Sequence, residues 1–254
     1  MLHGNPTWSF LYRKMIKELS SDYRCIAPDL SGFGKSEAAP GFDFKAASHA
    51  AHLVEFVAAL QLKNIIIIGQ DWGGPIGLSL AIKSPKNIKG MVLGNTWGWP
   101  LKGNLRFELF SAFNGGIIGR SMAYTFNGVW RIFMRFGFYN KVSKEIMLMY
   151  AAPFIKRNRR KQTSIFPREL VKAYAFEKEI SENFKAIEHL PVLLLWGTED
   201  FAFKNEALNR FQKLFHNSQT VLVKAGHFWQ EDVGLEAAMI TRKWYMDHCK
   251  TIIS

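Results

Sequence analysis

The sequence predicts a doubly wound α/β fold, with a mostly parallel sheet and one helical insertion. Short runs rich in Val, Ile and Leu are typical of buried parallel strands. Amphipathic helical patterns separate these runs, and such alternation indicates a sheet covered by helices on both faces. Residues 98–187 interrupt the alternation with a long stretch that has no strand pattern, which indicates an inserted helical segment.

The individual elements follow from these patterns. The expected strands are Tyr23–Ala27, Ile65–Ile68, Met91–Leu93, Val192–Leu195 and Thr220–Val223. The expected helices around them are Ser48–Leu60, Pro75–Lys83, Ala207–Phe215 and Leu235–Tyr245, and the insertion should contain helices at Lys141–Ala151 and Arg168–Phe176.

We therefore expect residues 1–97 and 188–254 to form the α/β core and residues 98–187 to form a helical cap. The start of the chain is unusual, because a His-Gly turn at His3-Gly4 follows only two residues. Such a turn is typical of a loop that leaves a strand. We expect the missing N-terminal strands to be encoded upstream of Met1.

Charge is distributed unevenly along the chain. The net charge is +12, and residues 98–187 hold 16 Lys or Arg against six Asp or Glu, a net +10. The densest run, at residues 156–161, is typical of a solvated face, and no nucleic-acid-binding motif accompanies it. A basic protein that binds nucleic acid or a membrane surface stays open as an alternative, for which salt-sensitive binding would be the sign.

The composition excludes several other classes. Two distant cysteines, Cys25 and Cys249, make neither a disulfide framework nor a metal-ligand spacing, so we expect no metal, no cofactor and a cytoplasmic location. No apolar run is long enough to span a membrane.

Residues 69–74, Gly-Gln-Asp-Trp-Gly-Gly, lie between an expected strand and an expected helix. This order is typical of a nucleophile elbow with Asp71 at its centre. The helix start presents free N–H groups to a developing negative charge. A carboxylate nucleophile suits displacement at an sp³ carbon and leaves an alkyl ester. An Asp that only caps the helix is the simpler alternative, but the full order of strand, glycines and helix favours the nucleophile.

An alkyl ester needs a general base that activates water. His227 follows the last expected strand, and the chain order of nucleophile, acid and His is the one that accompanies such an elbow. Asp200, after the strand Val192–Leu195, is expected to orient His227, with Glu199 as the fallback. The alternative position, after Met91–Leu93, offers no carboxylate.

The His3-Gly-Asn-Pro6 turn supplies the remaining expected groups. The backbone N–H groups of Asn5 and Trp72 are expected to form an oxyanion hole. The Asn5 amide and the Trp72 indole N–H add two side-chain donors, which suit a weakly basic leaving anion such as halide.

These segments together resemble the haloalkane dehalogenases of the α/β-hydrolase superfamily. The matching stretches are residues 3–13, 28–36, 69–74, 95–100, 197–200 and 225–228. The resemblance implies the subfamily with an Asp-His-Asp triad. It implies Asp71 as nucleophile, His227 as base, Asp200 as acid, and Asn5 with Trp72 as the halide-stabilising pair. The implied reaction converts a haloalkane and water to an alcohol and halide through an ester on Asp71.

Two other functions remain open from the sequence. An epoxide hydrolase would share the Asp nucleophile and His base but needs acidic phenols from the cap, for which Tyr124, Tyr139, Tyr150 and Tyr174 are candidates. Asn5 after the His-Gly turn favours the dehalogenase, since related hydrolases more often have an aromatic residue there. A non-catalytic binding protein with a hydrolase fold is disfavoured by the intact set of catalytic residues.

Overall fold

The computed structural model of the protein describes residues 1–249, and its centre is a four-stranded parallel sheet. The strands lie in the order β1 (Ile65–Gln70), β2 (Ile88–Gly94), β3 (Val192–Gly197) and β4 (Ser218–Val223). Leu2 adds one parallel bridge, to Gly69 at the free edge of β1. The last four expected strand runs lie inside these observed strands, and the expected fold class is confirmed.

The first expected strand, Tyr23–Ala27, is wrong, because this segment has no strand structure. A strand requires a row of main-chain hydrogen bonds to a neighbouring strand. Here Ile26 O accepts one bond, from the Met1 amino group at 2.8 Å. A single contact does not make a ladder, so the apolar segment packs as an extended loop.

Helices surround the sheet and fill the chain between its strands. Their bounds are α1 (Arg13–Leu19), α2 (Ala46–Ala59), α3 (Gly73–Lys83), α4 (Leu105–Gly115), α5 (Ile117–Phe126), α6 (Gly128–Phe136), α7 (Lys144–Ala151), α8 (Lys161–Lys172), α9 (Tyr174–Glu182), α10 (Asn205–Leu214), α11 (Trp229–Asp232) and α12 (Gly234–His248). Among residues 1–249, no helix is both long and apolar enough to cross a bilayer.

The alternation of side chains along each strand divides the core into two layers. Ile67 and Leu194 face the cluster that contains the buried residues of α2, α3 and α10. Their neighbours Ile68 and Leu193 face the opposite cluster, with buried residues of α1 and α12. Both faces of the sheet are thus covered at its centre, which explains why β1, β2 and β3 are mainly apolar, whereas the edge strand β4 is only partly buried.

The segment between β2 and β3 is helical, as its sequence predicts, and contains α4 to α9. The expected helix Lys141–Ala151 corresponds to α7. The expected single helix Arg168–Phe176 is wrong, because it is divided between α8 and α9 at Ala173, whose ψ of 17° leaves helical geometry. The change of direction lets Leu170 and Phe176 both pack into the same core cluster.

Candidate active site

Polar side chains gather where the carboxyl ends of the four parallel strands meet. Asp71 follows β1, Asn95 follows β2, Asp200 lies beyond β3 and His227 lies beyond β4. All four are buried. This edge is where open α/β sheets bind their ligands, so the fold itself brings together residues that are far apart in sequence.

The turn that carries Asp71 requires residues without side chains beside it. Asp71 has a φ of 50°, in the left-handed region. A Cβ on Gly73 would lie 2.0 Å from Leu2 O, and one on Gly74 would lie 1.8 Å from Thr96 Oγ1. The Thr96 hydroxyl also donates to Asp71 O at 2.7 Å. The two glycines therefore permit a sharp turn that the neighbouring loop then holds in place.

The loop after Leu2 approaches the Asp71 carboxylate closely. The Asn5 backbone N–H donates to Asp71 Oδ1 at 2.7 Å, and a Cβ on Gly4 would lie 2.1 Å from the same oxygen. His3 fixes this loop, because its Nε2 accepts from Leu30 N at 3.0 Å and its Nδ1 lies 2.9 Å from Gly4 O. Burial lowers the pKa of His3, in agreement with a neutral ring whose Nδ1 donates.

Asp200 is the carboxylate that contacts His227. Their closest approach is 3.1 Å, between Oδ2 and Nδ1. Asp200 is itself held by the backbone N–H groups of Ala202 at 2.7 Å and Phe203 at 3.1 Å. Asn95 Nδ2 donates to its Oδ2 at 2.9 Å. With its oxygens occupied in this way, Asp200 has little freedom to rotate away from the imidazole.

Glu199, the fallback acid, lies elsewhere. Its side chain is exposed, and its Oε1 accepts from the Thr198 hydroxyl at 3.1 Å. The geometry therefore favours Asp200 as the partner of the imidazole.

The charge state of His227 depends on two carboxylates. Its Nε2 lies 3.6 Å from Asp71 Oδ2, on the side of the ring away from Asp200. Burial lowers the pKa of His227, but Asp200 and Asp71 outweigh burial and raise it to about 10. The resting site thus favours an imidazolium between two carboxylates.

Gln70 also contacts His227, which the sequence analysis did not anticipate. The Gln70 amide Nε2 lies 2.9 Å from His227 Nε2 and donates to the His227 backbone O at 3.1 Å. Asn95 is a second such residue, because it binds Asp200 and both the N–H and the O of Gly197. A partial signal exists for Asn95, since a polar residue directly after a buried strand places it at the carboxyl edge of the sheet, but the strand beside it follows only from the structure.

An apolar cavity of about 150 Å³ opens onto Asp71. Asn5 and Trp72 line it. Neither Trp72 Nε1 nor Asn5 Nδ2 donates a hydrogen bond within residues 1–249, so two of the residues that line the cavity keep an unengaged N–H donor. The remaining lining residues are mostly apolar: Arg106, Phe107, Phe110, Phe133, Phe166, Pro167, Leu170, Phe201, Ala202 and Phe203.

The four cap tyrosines lie away from the cavity. No Tyr lines it in the part of the chain that the structure describes. The Tyr150 hydroxyl donates to Glu231 Oε2 at 2.5 Å. The other three, Tyr124, Tyr139 and Tyr174, are more than 40% exposed. Residues 1–249 also contain no cluster of three or more His, Cys, Asp or Glu arranged to hold a metal ion.

Comparison with known proteins agrees with this geometry. Residues 1–232 match the family described as the alpha/beta hydrolase fold. Haloalkane dehalogenase 2 of Mycobacterium tuberculosis is 34% identical over 247 residues, which cover 95% of this chain and 86% of that protein. The chain belongs to the haloalkane dehalogenase family. The sequence-based assignment to this family is thereby confirmed.

Further members of the haloalkane dehalogenase family share the fold. A variant of the haloalkane dehalogenase DatA from Agrobacterium tumefaciens has a TM-score of 0.86 at 25% identity, over 96% of this chain and 88% of that chain. A crystal structure of a putative ancestral haloalkane dehalogenase has a TM-score of 0.83 at 27% identity, over 96% and 91% of the two chains. A relative of different name also exists: the cis-3-alkyl-4-alkyloxetan-2-one decarboxylase of Shewanella oneidensis is 29% identical over 264 residues, covering 99% of this chain and 82% of that protein.

Proposed function

We propose that the protein hydrolyses haloalkanes to alcohols and halide. The observation that carries this proposal is the Asp71 carboxylate in an apolar cavity beside two unengaged N–H donors, Asn5 Nδ2 and Trp72 Nε1. A cavity of about 150 Å³ is smaller than the roughly 300–1,000 Å³ of pockets for drug-sized ligands, so it suits small alkanes.

In the first step, Asp71 Oδ2 attacks the carbon that bears the halogen. Oδ1 is occupied by the Asn5 backbone N–H, which leaves Oδ2 free to react. The new C–O bond forms as the carbon–halogen bond breaks, and the electron pair leaves with the halide. Halide needs no proton, so the two cavity donors stabilise its developing charge.

In the second step, water attacks Cγ of the ester and His227 accepts its proton. Esterification removes the Asp71 charge, so the pKa of His227 falls from the resting value of about 10 and the imidazole becomes a competent base. The tetrahedral oxyanion develops on Oδ1, where the backbone N–H groups of Asn5 and Trp72 stabilise it. On collapse, the bond to the alcohol oxygen breaks and this oxygen takes the proton back from His227. The acid proton left on Asp71 then passes to the imidazole, which regenerates the Asp71 carboxylate. The step requires no metal or organic cofactor.

The alternative of epoxide hydrolysis has less support. An epoxide oxygen leaves as a strongly basic alkoxide and needs an acid, and the cap tyrosines lie outside the cavity lining. Arg106, which lines the cavity, is too weak an acid for this role because guanidinium keeps its proton.

The Shewanella relative suggests a second candidate, decarboxylation of an oxetan-2-one. Attack of Asp71 on the ring carbon would release a carboxylate, which is also a weakly basic anion, and Arg106 at the cavity favours such a group as its counter-charge. Loss of CO₂ with expulsion of Asp71 would then give an alkene. The small volume of the cavity favours the haloalkane over a ring that carries two alkyl chains.

The proposal is tested by product formation and by trapping the ester. We expect halide release from 1,2-dibromoethane and 1-bromobutane, and no diol from epoxides or alkene from an oxetan-2-one. His227→Phe should accumulate one alkyl group on the peptide that contains Asp71, visible by mass spectrometry, and Asp71→Ala should form no adduct. Full steady-state turnover by the His227 variant, with an unmodified peptide, would contradict the mechanism.

We propose the cytoplasm as the compartment in which the enzyme acts. Both cysteines are free, Cys25 half-buried and Cys249 buried, and free thiols persist in a reducing environment. Small haloalkanes diffuse into this compartment, and water and halide are the other participants.

A further inference from the structure

The neighbouring helices α4 and α5 together expose seven large apolar side chains. Ile117 is 90% exposed and Ile118 75% exposed, although both begin a helix in a well-packed protein. Within each helix the exposed apolar side chains recur at four-residue steps, which place side chains on one helix face: positions 105, 109 and 113 on α4, and positions 118, 122 and 126 on α5. We call this set the apolar ridge, and it consists of Leu105, Leu109, Phe113, Ile117, Ile118, Met122 and Phe126.

Helix α4, which carries part of the ridge, also packs against the protein interior. On α4, Phe107 and Phe110 point inward and line the cavity. Leu109 and Phe113 lie on the outer side, with exposed fractions of 62% and 69%. The helix is therefore apolar on two sides, and its own core accounts for only one of them. Contiguous exposed apolar surface on a monomer commonly marks a docking site.

Basic residues surround the ridge. Residues 98–161 contain 12 Lys or Arg and only two Asp or Glu, so the whole +10 of the cap segment lies there. Within residues 1–249, none of the four arginines of α4 to α6 has a carboxylate within 4.0 Å; these are Arg106, Arg120, Arg131 and Arg135. The charge at this surface is thus not neutralised by the protein itself.

We propose that the apolar ridge and its basic surroundings dock on an anionic phospholipid surface. Apolar side chains that enter the acyl boundary, with Lys and Arg at the headgroups, are the combination that holds interfacial helices on membranes. A second copy of the chain is a poorer occupant, because two caps of charge +10 would repel each other. The proposed association is peripheral, with the ridge at the acyl boundary and the basic residues at the headgroups.

Docking through the ridge would bring the cavity close to lipid-dissolved substrate, a consequence that rests on the proposed function. Haloalkanes are apolar and concentrate in lipid. Since α4 forms both part of the ridge and part of the cavity wall, a docked enzyme would have its cavity one helix away from the lipid phase.

Vesicle flotation of the full chain tests the proposal without any measurement of activity. We expect the protein to float with phosphatidylcholine vesicles that contain phosphatidylglycerol, and to stay in solution with phosphatidylcholine alone. High NaCl should release it. Arg131→Gln with Arg135→Gln should weaken binding by roughly fivefold for each charge lost. Ile117→Ser with Ile118→Ser should weaken it by at least tenfold.

Matched variants on other surfaces distinguish docking through the ridge from nonspecific adsorption to vesicles. Leu235 and Met239 on α12 are also exposed, so Leu235→Ser with Met239→Ser should bind vesicles like the wild type. Lys204→Gln with Lys213→Gln removes two exposed charges outside residues 98–187 and should have a much smaller effect than the arginine pair. Both ridge and control variants should keep the wild-type melting temperature, because the changed side chains are exposed.

Three outcomes would overturn the proposal. Equal binding to neutral and anionic vesicles would contradict the role of charge. Undiminished binding by the Ile117→Ser, Ile118→Ser variant would contradict the role of the ridge. Concentration-dependent self-association in light scattering that disappears in the same variant, without vesicle binding, would assign the ridge to a second copy of the chain.

Discussion

At the scale of single residues, the proposed chemistry depends on how two carboxylates share one imidazole. Asp71 must lose its charge in the first step, whereas Asp200 keeps its charge throughout. The same His227 is therefore a poor base before esterification and a good one after it. This order of events requires a fixed Asp200 side chain. Three N–H donors hold it: the backbone N–H groups of Ala202 and Phe203 and the side-chain amide of Asn95.

Replacement of Asp200 tests this division of roles. Asp200→Asn should leave the first step intact but slow ester hydrolysis by up to roughly 10⁴-fold, because a neutral amide neither orients His227 nor stabilises its charged form. Rapid mixing should show a burst of one halide per enzyme followed by a slow steady state. Glu199→Gln is the matched control and should behave like the wild type, since Glu199 is exposed. If the control shows the burst instead, the acid is misassigned.

The two halide donors are tested by removing one N–H at a time. Trp72→Phe and Asn5→Leu should each slow halide release by tens-fold or more, at about 2–4 kcal/mol per lost donor. Chloride should quench tryptophan fluorescence in the wild type, and Trp72→Phe should lose most of this response. Trp97→Phe is the control: Trp97 lies beside Trp72, but its Nε1 donates to Glu177. A response that follows Trp97 would remove Trp72 from the halide site.

At the scale of elements, α4 is joined to the loop that carries the acid. The Arg106 Nη2 atom donates to the backbone O of Phe201 and, at 2.8 Å, to that of Ala202. These residues directly follow Asp200 in sequence. Helix α4 thereby contacts the loop after β3, so a movement of α4 would also displace the loop that carries Asp200.

Loss of the Arg106 bonds should make the wall of the cavity more mobile and leave Asp71, Asp200 and His227 in place. Arg106→Met keeps the aliphatic stem but removes both bonds, and we expect a higher KM with a smaller change in kcat. The free energy of unfolding should fall by about 1 kcal/mol, since Arg106 is exposed. Arg135→Met, at an exposed position of α6, should change neither KM nor the urea midpoint. Equal effects of the two substitutions would contradict the coupling.

The elements that the sequence predicts well are those whose pattern is local. Strands β1 to β3 are largely buried on both faces, so their apolar composition identifies them, whereas the edge strand β4 is only partly buried. Tyr23–Ala27 has similar composition but pairs with no row of main-chain groups, and composition does not reveal a partner. The break at Ala173 is equally invisible, because the apolar pattern continues through it.

The sequence predicts those residues of the candidate site that directly follow a strand. Asp71, Asp200 and His227 were named from their positions after strands, and the structure brings them together. Their catalytic roles stay predictions. Gln70 and Asn95 were missed because their contacts depend on the order of strands across the sheet, which motif spacing does not contain. The cavity volume likewise depends on how the cap helices pack.

At the scale of the whole molecule, cap and core share a buried carboxyl group. Glu177 on α9 accepts from Trp97 Nε1 at 2.9 Å and from Leu101 N at 3.2 Å. Burial outweighs these two bonds and raises the pKa of Glu177 to about 8, from an ordinary value of 4.5. Between about pH 4.5 and 8, Glu177 is thus a neutral acid in the folded protein and a carboxylate in the unfolded chain.

This difference makes stability depend on pH. Between pH 4.5 and 8, the unfolded state releases the Glu177 proton and the folded state retains it, so the free energy of unfolding falls as pH rises. The total fall is at most about 5 kcal/mol, at about 1.4 kcal/mol per pKa unit. His227 acts in the same direction at higher pH: its folded pKa of about 10 exceeds 6.5, so its contribution is complete below pH 6.5 and is lost as pH approaches 10.

Glu177→Gln separates these two contributions. Glutamine cannot ionise but can still accept from the Trp97 indole, so urea unfolding of the variant should show little change in stability between about pH 5 and 6.5, where the stability of the wild type already falls. The decline toward pH 10 should remain, because His227 is untouched. His227→Gln should show the reverse, a decline up to pH 8 and less above it. Parallel profiles for the wild type and the Glu177 variant would show that the folded protein ionises Glu177 as readily as the unfolded chain does, and that the contact between α9 and Trp97 is made by a carboxylate.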